Sequence, residues 1–138
     1  MTTAHPSNYT PGRTQKIAFL VLHYTAGRND SAAGNVRYFQ SPRGASAHYF
    51  VDKSGWLQSV EDGDTAWAVG TAGIYTQKHP HCRNGNSISI EMCCRYENGT
   101  YWLEPAVVDN AATLTRQLMA RYQIPLDHVL RHYDVVSK

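Results

Sequence analysis

A chain of 138 residues is long enough for one domain with its own core and short for two. Its 42% hydrophobic and 17% charged residues are ordinary globular proportions, and no stretch approaches the roughly 20 apolar residues that cross a bilayer, so no membrane partner is expected. The formal charge is only +2 and the Lys and Arg are scattered, which leaves no electrostatic footprint for nucleic acid.

The first fifteen residues, "MTTAHPSNYTPGRTQ", are polar and proline-bearing. They read as an irregular lead-in without the basic-then-apolar pattern of a secretory leader. Residues 17–24 then put Ile17, Phe19, Val21 and His23 on one face of a strand and Ala18, Leu20, Leu22 and Tyr24 on the other. Apolar residues on both faces predict a central strand covered on both sides, with His23 at its carboxyl end. Cap-type residues Asn29 to Ser31 precede a short helix that Pro42 stops. Residues 46–52 and 56–60 read as a hairpin around Lys53-Ser54-Gly55, and its antiparallel pairing makes the sheet mixed.

The stretch 61–85 is rich in Gly, Asp, Thr and His and has little periodicity; so long a loop in a small domain points to function. Alternation returns in "NSISIEMC", which turns Ile88, Ile90 and Met92 to the core and Glu91 away from it. Val107, Ala111, Leu114, Leu118 and Tyr122 recur at helical spacing over 105–123, a helix that Pro105 opens. "HVLRHY", 128–133, reads as a short closing strand or extended segment. The order β-α-β-β-β-α-β predicts a single α/β domain over residues 1–138, a central mixed sheet flanked by helices.

Seven histidines are many for this length. His5, His79 and His81 lie in polar loops and read as solvated, and His128 beside Asp127 as a local hydrogen-bond partner. His48 alternates with the apolar face of its strand, which fits a satisfied buried histidine or one that orients a ligand. His23 and His132 differ, because each follows an apolar run and precedes a tyrosine, in "LHYTAG" and "RHYDVV". Each taken alone also fits a buried, hydrogen-bonded imidazole. Joined by Glu91 and Lys138 they make a set suited to metal-assisted hydrolysis: neutral imidazoles for Zn²⁺, a carboxylate to take a proton from water, and a lysine for the developing oxyanion. Cys82, Cys93 and Cys94 lack the CxxC spacing of a structural zinc site and read as reduced thiols, or as one bridge from Cys82 to Cys93 or Cys94.

Four segments, "FLVLHYTAG", "SAHYFVDKSGWLQSVEDGDTAW", "RNGNSISIEMC" and "LRHYDVVSK", resemble in order and separation the N-acetylmuramoyl-L-alanine amidases of the amidase-2 type, relatives of phage T7 lysozyme and the peptidoglycan recognition proteins. The resemblance runs from Lys16 to Lys138. It implies that family's fold and a zinc enzyme that cuts bacterial peptidoglycan between the lactyl group of N-acetylmuramic acid and L-alanine. His23 and His132 are then zinc ligands, Glu91 the acid/base and Lys138 the transition-state lysine. Tyr24, Trp67 and Asn86, inside the matching segments, are expected to touch substrate.

The chain departs from the family at two places. Ala68 in "WAVG" stands where a histidine is usual, and the family's third zinc ligand, a Cys or Asp, falls two residues beyond the position of Lys138. Three explanations stay open. The ligand lies past residue 138, with a C-terminal wall-binding domain after it; the domain is a non-catalytic peptidoglycan-binding module; or Asp134 serves as a substitute carboxylate. With no leader read at the start, the enzyme is expected to be made in the cytoplasm and to act at the cell wall as a phage or prophage lysin.

Overall fold

A strand that is apolar on both faces must be covered twice, and this requirement organises the computed structural model, which describes residues 1–138. In chain order the elements are β1 (Tyr9–Thr10), β2 (Phe19–Tyr24), α1 (Ala32–Tyr38), β3 (Tyr49–Asp52), β4 (Gly55–Gln58), β5 (Thr65–Ala66) and β6 (Ser87–Met92). They continue as β7 (Arg95–Glu97), β8 (Thr100–Trp102), α2 (Pro105–Tyr122), β9 (Val129–Arg131) and α3 (His132–Val135). The main sheet has the order β4-β3-β6-β2-β9; only the β3–β4 pair is antiparallel.

On one side of the sheet Leu20, Tyr49, Val51, Ile88 and Ile90 meet Val107, Ala111, Leu114 and Leu118 of α2. Burying a side chain of this size contributes about 1.5–3 kcal/mol, so this layer is the main source of stability. On the other side Phe19 and Val21 pack with Val69, Cys82, Val135 and Val136. That second layer is thin, and it leaves the carboxyl ends of β2 and β6 open. No helix is long and apolar enough to cross a membrane. All three cysteines are buried free thiols.

Four sequence expectations change. The lead-in is ordered: residues Pro6–Asn8 form a 3-10 turn, β1 pairs with β5, and Asn8 is fully buried. The Asn8 amide donates to Phe39 O at 2.9 Å and Ser41 O at 2.8 Å, and its oxygen accepts from the N–H groups of Arg43 and Gly44. Helix α1 therefore ends at Tyr38, before Pro42, where Asn8 takes over its final carbonyls. The hairpin β7–β8 was not anticipated, although Asn98-Gly99, both at positive φ, is the turn signal that marks it. Finally, only Val129–Arg131 of the closing segment is strand, and His132 opens a helical turn instead of ending a strand.

His48 ties the sheet to the long loop. Its Nδ1 accepts from the Ser89 N–H at 3.1 Å, so the proton sits on Nε2, which donates to Asp64 O at 2.9 Å. Burial, with smaller contributions of both signs from its neighbours, holds its pKa down to about 4. The unfolded chain takes up this proton near pH 6.5 and the folded chain only near 4, so stability falls as pH drops through that window, by up to about 3 kcal/mol. Urea unfolding with chelator present, at pH 7 and pH 4, is expected to show a smaller pH-dependent loss for His48→Gln than for wild type. An equal loss in both would remove His48 as a source of that dependence.

Candidate active site

Strands β2 and β6 are parallel neighbours, and their register sets His23 directly opposite Glu91. Both side chains lie on the face away from α2, and His23 Nδ1 stands 3.8 Å from Glu91 Oε1. On the other flank of β2, strand β9 runs parallel and hands over to α3 at His132. The two imidazoles then meet at 2.7 Å, Nδ1 to Nδ1, with their rings 79° apart. At that distance one nitrogen carries a proton and the other accepts it.

His23 is 4% exposed. Its pKa is held well below the ordinary value by burial first, then by His132 and Lys138; that of His132 falls for the same reasons, burial and Lys138. Both rings are neutral at pH 7. The Glu91 carboxyl is pushed up to about 7 by burial, against the pull of Lys138, with Asp30 adding to the rise. The Nε2 atoms of both histidines and Oε2 of Glu91 are buried without a hydrogen-bond partner. Stranded polar atoms of this kind destabilise a fold, and their concentration at one spot marks a site built for a ligand or a reaction.

These groups form the floor of an open groove of about 1080 Å³. Tyr24, Trp67, Tyr75, Asn84, Leu103 and Lys138 are among its walls. Trp67 is fixed by its indole N–H, which donates to Thr10 Oγ1 at 2.9 Å. Lys138 follows a tethered segment: Val136 bridges to Gln77, and the Ser137 N–H donates to Thr76 O at 2.9 Å. The lysine is therefore delivered to the groove by ordered backbone.

Two expectations fail on geometry. Asn86 does not line the groove, because its amide is used locally: Oδ1 accepts from Arg83 N–H at 2.8 Å and Nδ2 donates to His81 O at 2.9 Å. Asn84 lines it instead, with its Oδ1 accepting from the N–H groups of Ala68 and Val69. Nothing in "RNGN" distinguishes the two asparagines before the turn is seen. Asp134 is likewise unavailable as a metal ligand. Since His132 starts a helix, Asp134 points elsewhere, two residues round the turn, and its carboxylate is held by the backbone N–H and the guanidinium of Arg131, each at 2.8 Å.

Two neutral imidazoles with converging Nδ1 atoms suit the nitrogen preference of zinc. No group of three His, Cys, Asp or Glu side chains in residues 1–138 is placed to hold a metal ion, so these two nitrogens could supply only part of a ligand set.

His23 and Glu91 at the carboxyl ends of β2 and β6 and His132 at the start of α3 converge on the floor of one groove, an arrangement that marks a candidate active site. Residues 13–138 match the family described as N-acetylmuramoyl-L-alanine amidase, and the chain belongs to that family. It is 32% identical over 126 residues to the N-acetylmuramoyl-L-alanine amidase CwlL of Bacillus licheniformis, covering 86% of this chain and 34% of that protein. The catalytic domain of XlyA superposes with a TM-score of 0.79 at 26% identity, covering 99% of this chain and 84% of that one. AmiD of Escherichia coli, solved with anhydro-N-acetylmuramic acid-L-Ala-D-gamma-Glu-L-Lys, superposes with a TM-score of 0.65 at 27% identity, over 88% of this chain and 50% of that one. The chain thus spans about a third of the length of the curated relative CwlL.

The raised pKa of Glu91 makes a stability prediction. The unfolded carboxyl ionises near 4.5 and the folded one near 7, so the folded state loses stability as pH rises between them. In metal-free protein, Glu91→Gln is expected to be more stable than wild type at pH 8 by about 2–3 kcal/mol, and the gap should close near pH 4. Denaturant melts at the two pH values check this, and a gap that does not change with pH would contradict it.

Proposed function

We propose that this domain is a zinc-dependent N-acetylmuramoyl-L-alanine amidase that hydrolyses the amide between N-acetylmuramic acid and L-alanine in bacterial peptidoglycan. The observation that carries the reading is the meeting of His23 and His132 at their Nδ1 atoms beside a buried, proton-poised Glu91, on the floor of a groove. Family membership and the muramoyl-peptide held by E. coli AmiD support it. The cell wall is then its place of action, in an endolysin or autolysin role, and peptidoglycan its partner.

His23 and His132 would hold zinc through Nδ1, and water or a donor outside residues 1–138 would fill the remaining positions. When bound, the metal supplies Lewis-acid polarisation of the amide carbonyl and a water of lowered pKa. Glu91, with its pKa near 7, takes a proton from the attacking water and returns it to the departing L-alanine nitrogen. The C–N bond breaks, leaving a carboxylate on the lactyl group and a free α-amine on the peptide. Lys138 offers its cation to the carbonyl oxygen as negative charge gathers there. Trp67 and Tyr24 supply apolar wall of the groove for the substrate.

The alternative is a peptidoglycan-binding module without catalysis, in which the same groove holds wall fragments and the two histidines carry no metal. The two readings separate on two measurements. His23→Ala or His132→Ala is expected to lower zinc per chain, read by elemental analysis, and to stop the release of L-alanine amino termini from purified wall. Glu91→Gln is expected to keep zinc while losing rate by about 10²–10⁴-fold. Wild-type protein that binds wall yet takes up no zinc and releases no amino termini would leave the binding module as the answer.

A further inference from the structure

The hairpin β7–β8 has no part in the chemistry described so far, yet it is carefully held beside the groove. Asn29, in the loop after β2, accepts the Tyr96 N–H at 3.1 Å, and the neighbouring Asp30 accepts the Cys94 N–H at 2.9 Å. The guanidinium of Arg28 lies 4.2 Å from the Tyr96 ring centre. Tyr96 and Tyr101 face each other across the hairpin with ring centres 4.8 Å apart, and Tyr101 stands 6.4 Å from Tyr24. Three tyrosine rings thus form a row that starts on the residue after His23 and leads out of the groove.

Two rings of the row are open to solvent, Tyr24 at 59% and Tyr101 at 38% exposed, while Tyr96 is half-buried behind them. Exposed rings next to one another on a braced hairpin are a surface kept for a partner. From Tyr101 the chain passes through Trp102 to Leu103, which itself walls the groove, so the row and the reaction site are continuous.

We infer that this tyrosine row is a subsite for the glycan strand of peptidoglycan, taking the sugar rings that flank the muramoyl residue whose amide is cut; the inference rests on the amidase reading above. A pyranose chair presents a face of C–H groups that is apolar and faintly positive, which complements the negative face of an aromatic ring. The stem peptide is the poorer fit. It carries carboxylates, and Arg28, the cation beside the row, is already laid over Tyr96. The two exposed rings, Tyr24 and Tyr101, suit a polymer of repeating sugars, with Tyr96 and Arg28 bracing Tyr101 from behind.

The test uses a peptide-free tetrasaccharide of alternating N-acetylglucosamine and N-acetylmuramic acid, titrated into the protein by calorimetry. Since this ligand holds no scissile amide, its binding does not depend on the hydrolytic reaction. Tyr101→Ala is expected to weaken it about tenfold, whereas Tyr101→Phe, which keeps the ring, should stay within about twofold of wild type. Tyr24→Ala, on a different strand, is expected to weaken it likewise and decides the matter if the hairpin variant melts early. Unchanged glycan affinity in the Ala variants, or no binding by wild type at millimolar ligand, would overturn the inference. So would a free stem peptide whose binding, unlike the glycan's, follows removal of the rings. Intact glycan binding in a protein that releases no amino termini would instead sink the amidase reading and leave the subsite standing.

Discussion

The parallel register between β2 and β6 is the constraint on which the site depends. Slipping that pairing by one residue would turn His23 and Glu91 to opposite faces of the sheet. The slip is prevented elsewhere, by Leu20 and Ile88, then Leu22 and Ile90, which pair in the same register and whose side chains pack under or against the α2 layer. Apolar packing on one face thereby fixes polar geometry on the other. Once β9 pairs with the free edge of β2, the first residue after it, His132, has little choice but to meet His23.

The same placement explains the electrostatics. A carboxyl pushed up to about 7 is an unfavourable state for a folded protein at neutral pH, and three buried polar atoms without partners add to the strain, whereas the two neutral imidazoles cost stability only as the pH falls below their ordinary range. Within the site only the pull of Lys138 on Glu91 and the His23–His132 hydrogen bond offset this, and only in part. The stabilising layer lies behind the sheet, where α2 buries Val107, Ala111, Leu114 and Leu118, and the loops that frame the groove are held by hydrogen bonds from Asn8, Asn84 and His48. The fold is stable on one side so that the other can remain reactive.

How much of this the sequence carried depended on periodicity. The two-sided apolar pattern of residues 17–24 and the alternation of 87–93 were enough to put His23 at the end of a strand and Glu91 on the polar face of another, whereas their nearness needed the β2–β6 pairing. The spacing of Val107 to Tyr122 was enough to define the covering helix almost to the residue. His132 was singled out for its company, "RHYDVV", but its element was mistaken, because a short apolar run does not reveal where a strand gives way to a helical turn. Asn84 carried no signal that would have set it beside Asn86, because a four-residue turn has no pattern to separate them. The hairpin β7–β8 was passed over although Asn98-Gly99 announces it, and the buried role of Asn8 had no sequence signal at all, being a matter of long-range hydrogen bonds.

The proposed amidase chemistry depends on which nitrogens take the metal. Long-range ¹H–¹⁵N NMR of the imidazole rings, recorded before and after one equivalent of zinc, reads this directly. The structure predicts that the Nδ1 resonances of His23 and His132 move together to metal-bound positions, with both Nε2 atoms protonated, while the ring of His48 keeps its proton on Nε2 throughout. Zinc that leaves both Nδ1 resonances unmoved, or that engages His79 or His128 in their place, would contradict the central claim.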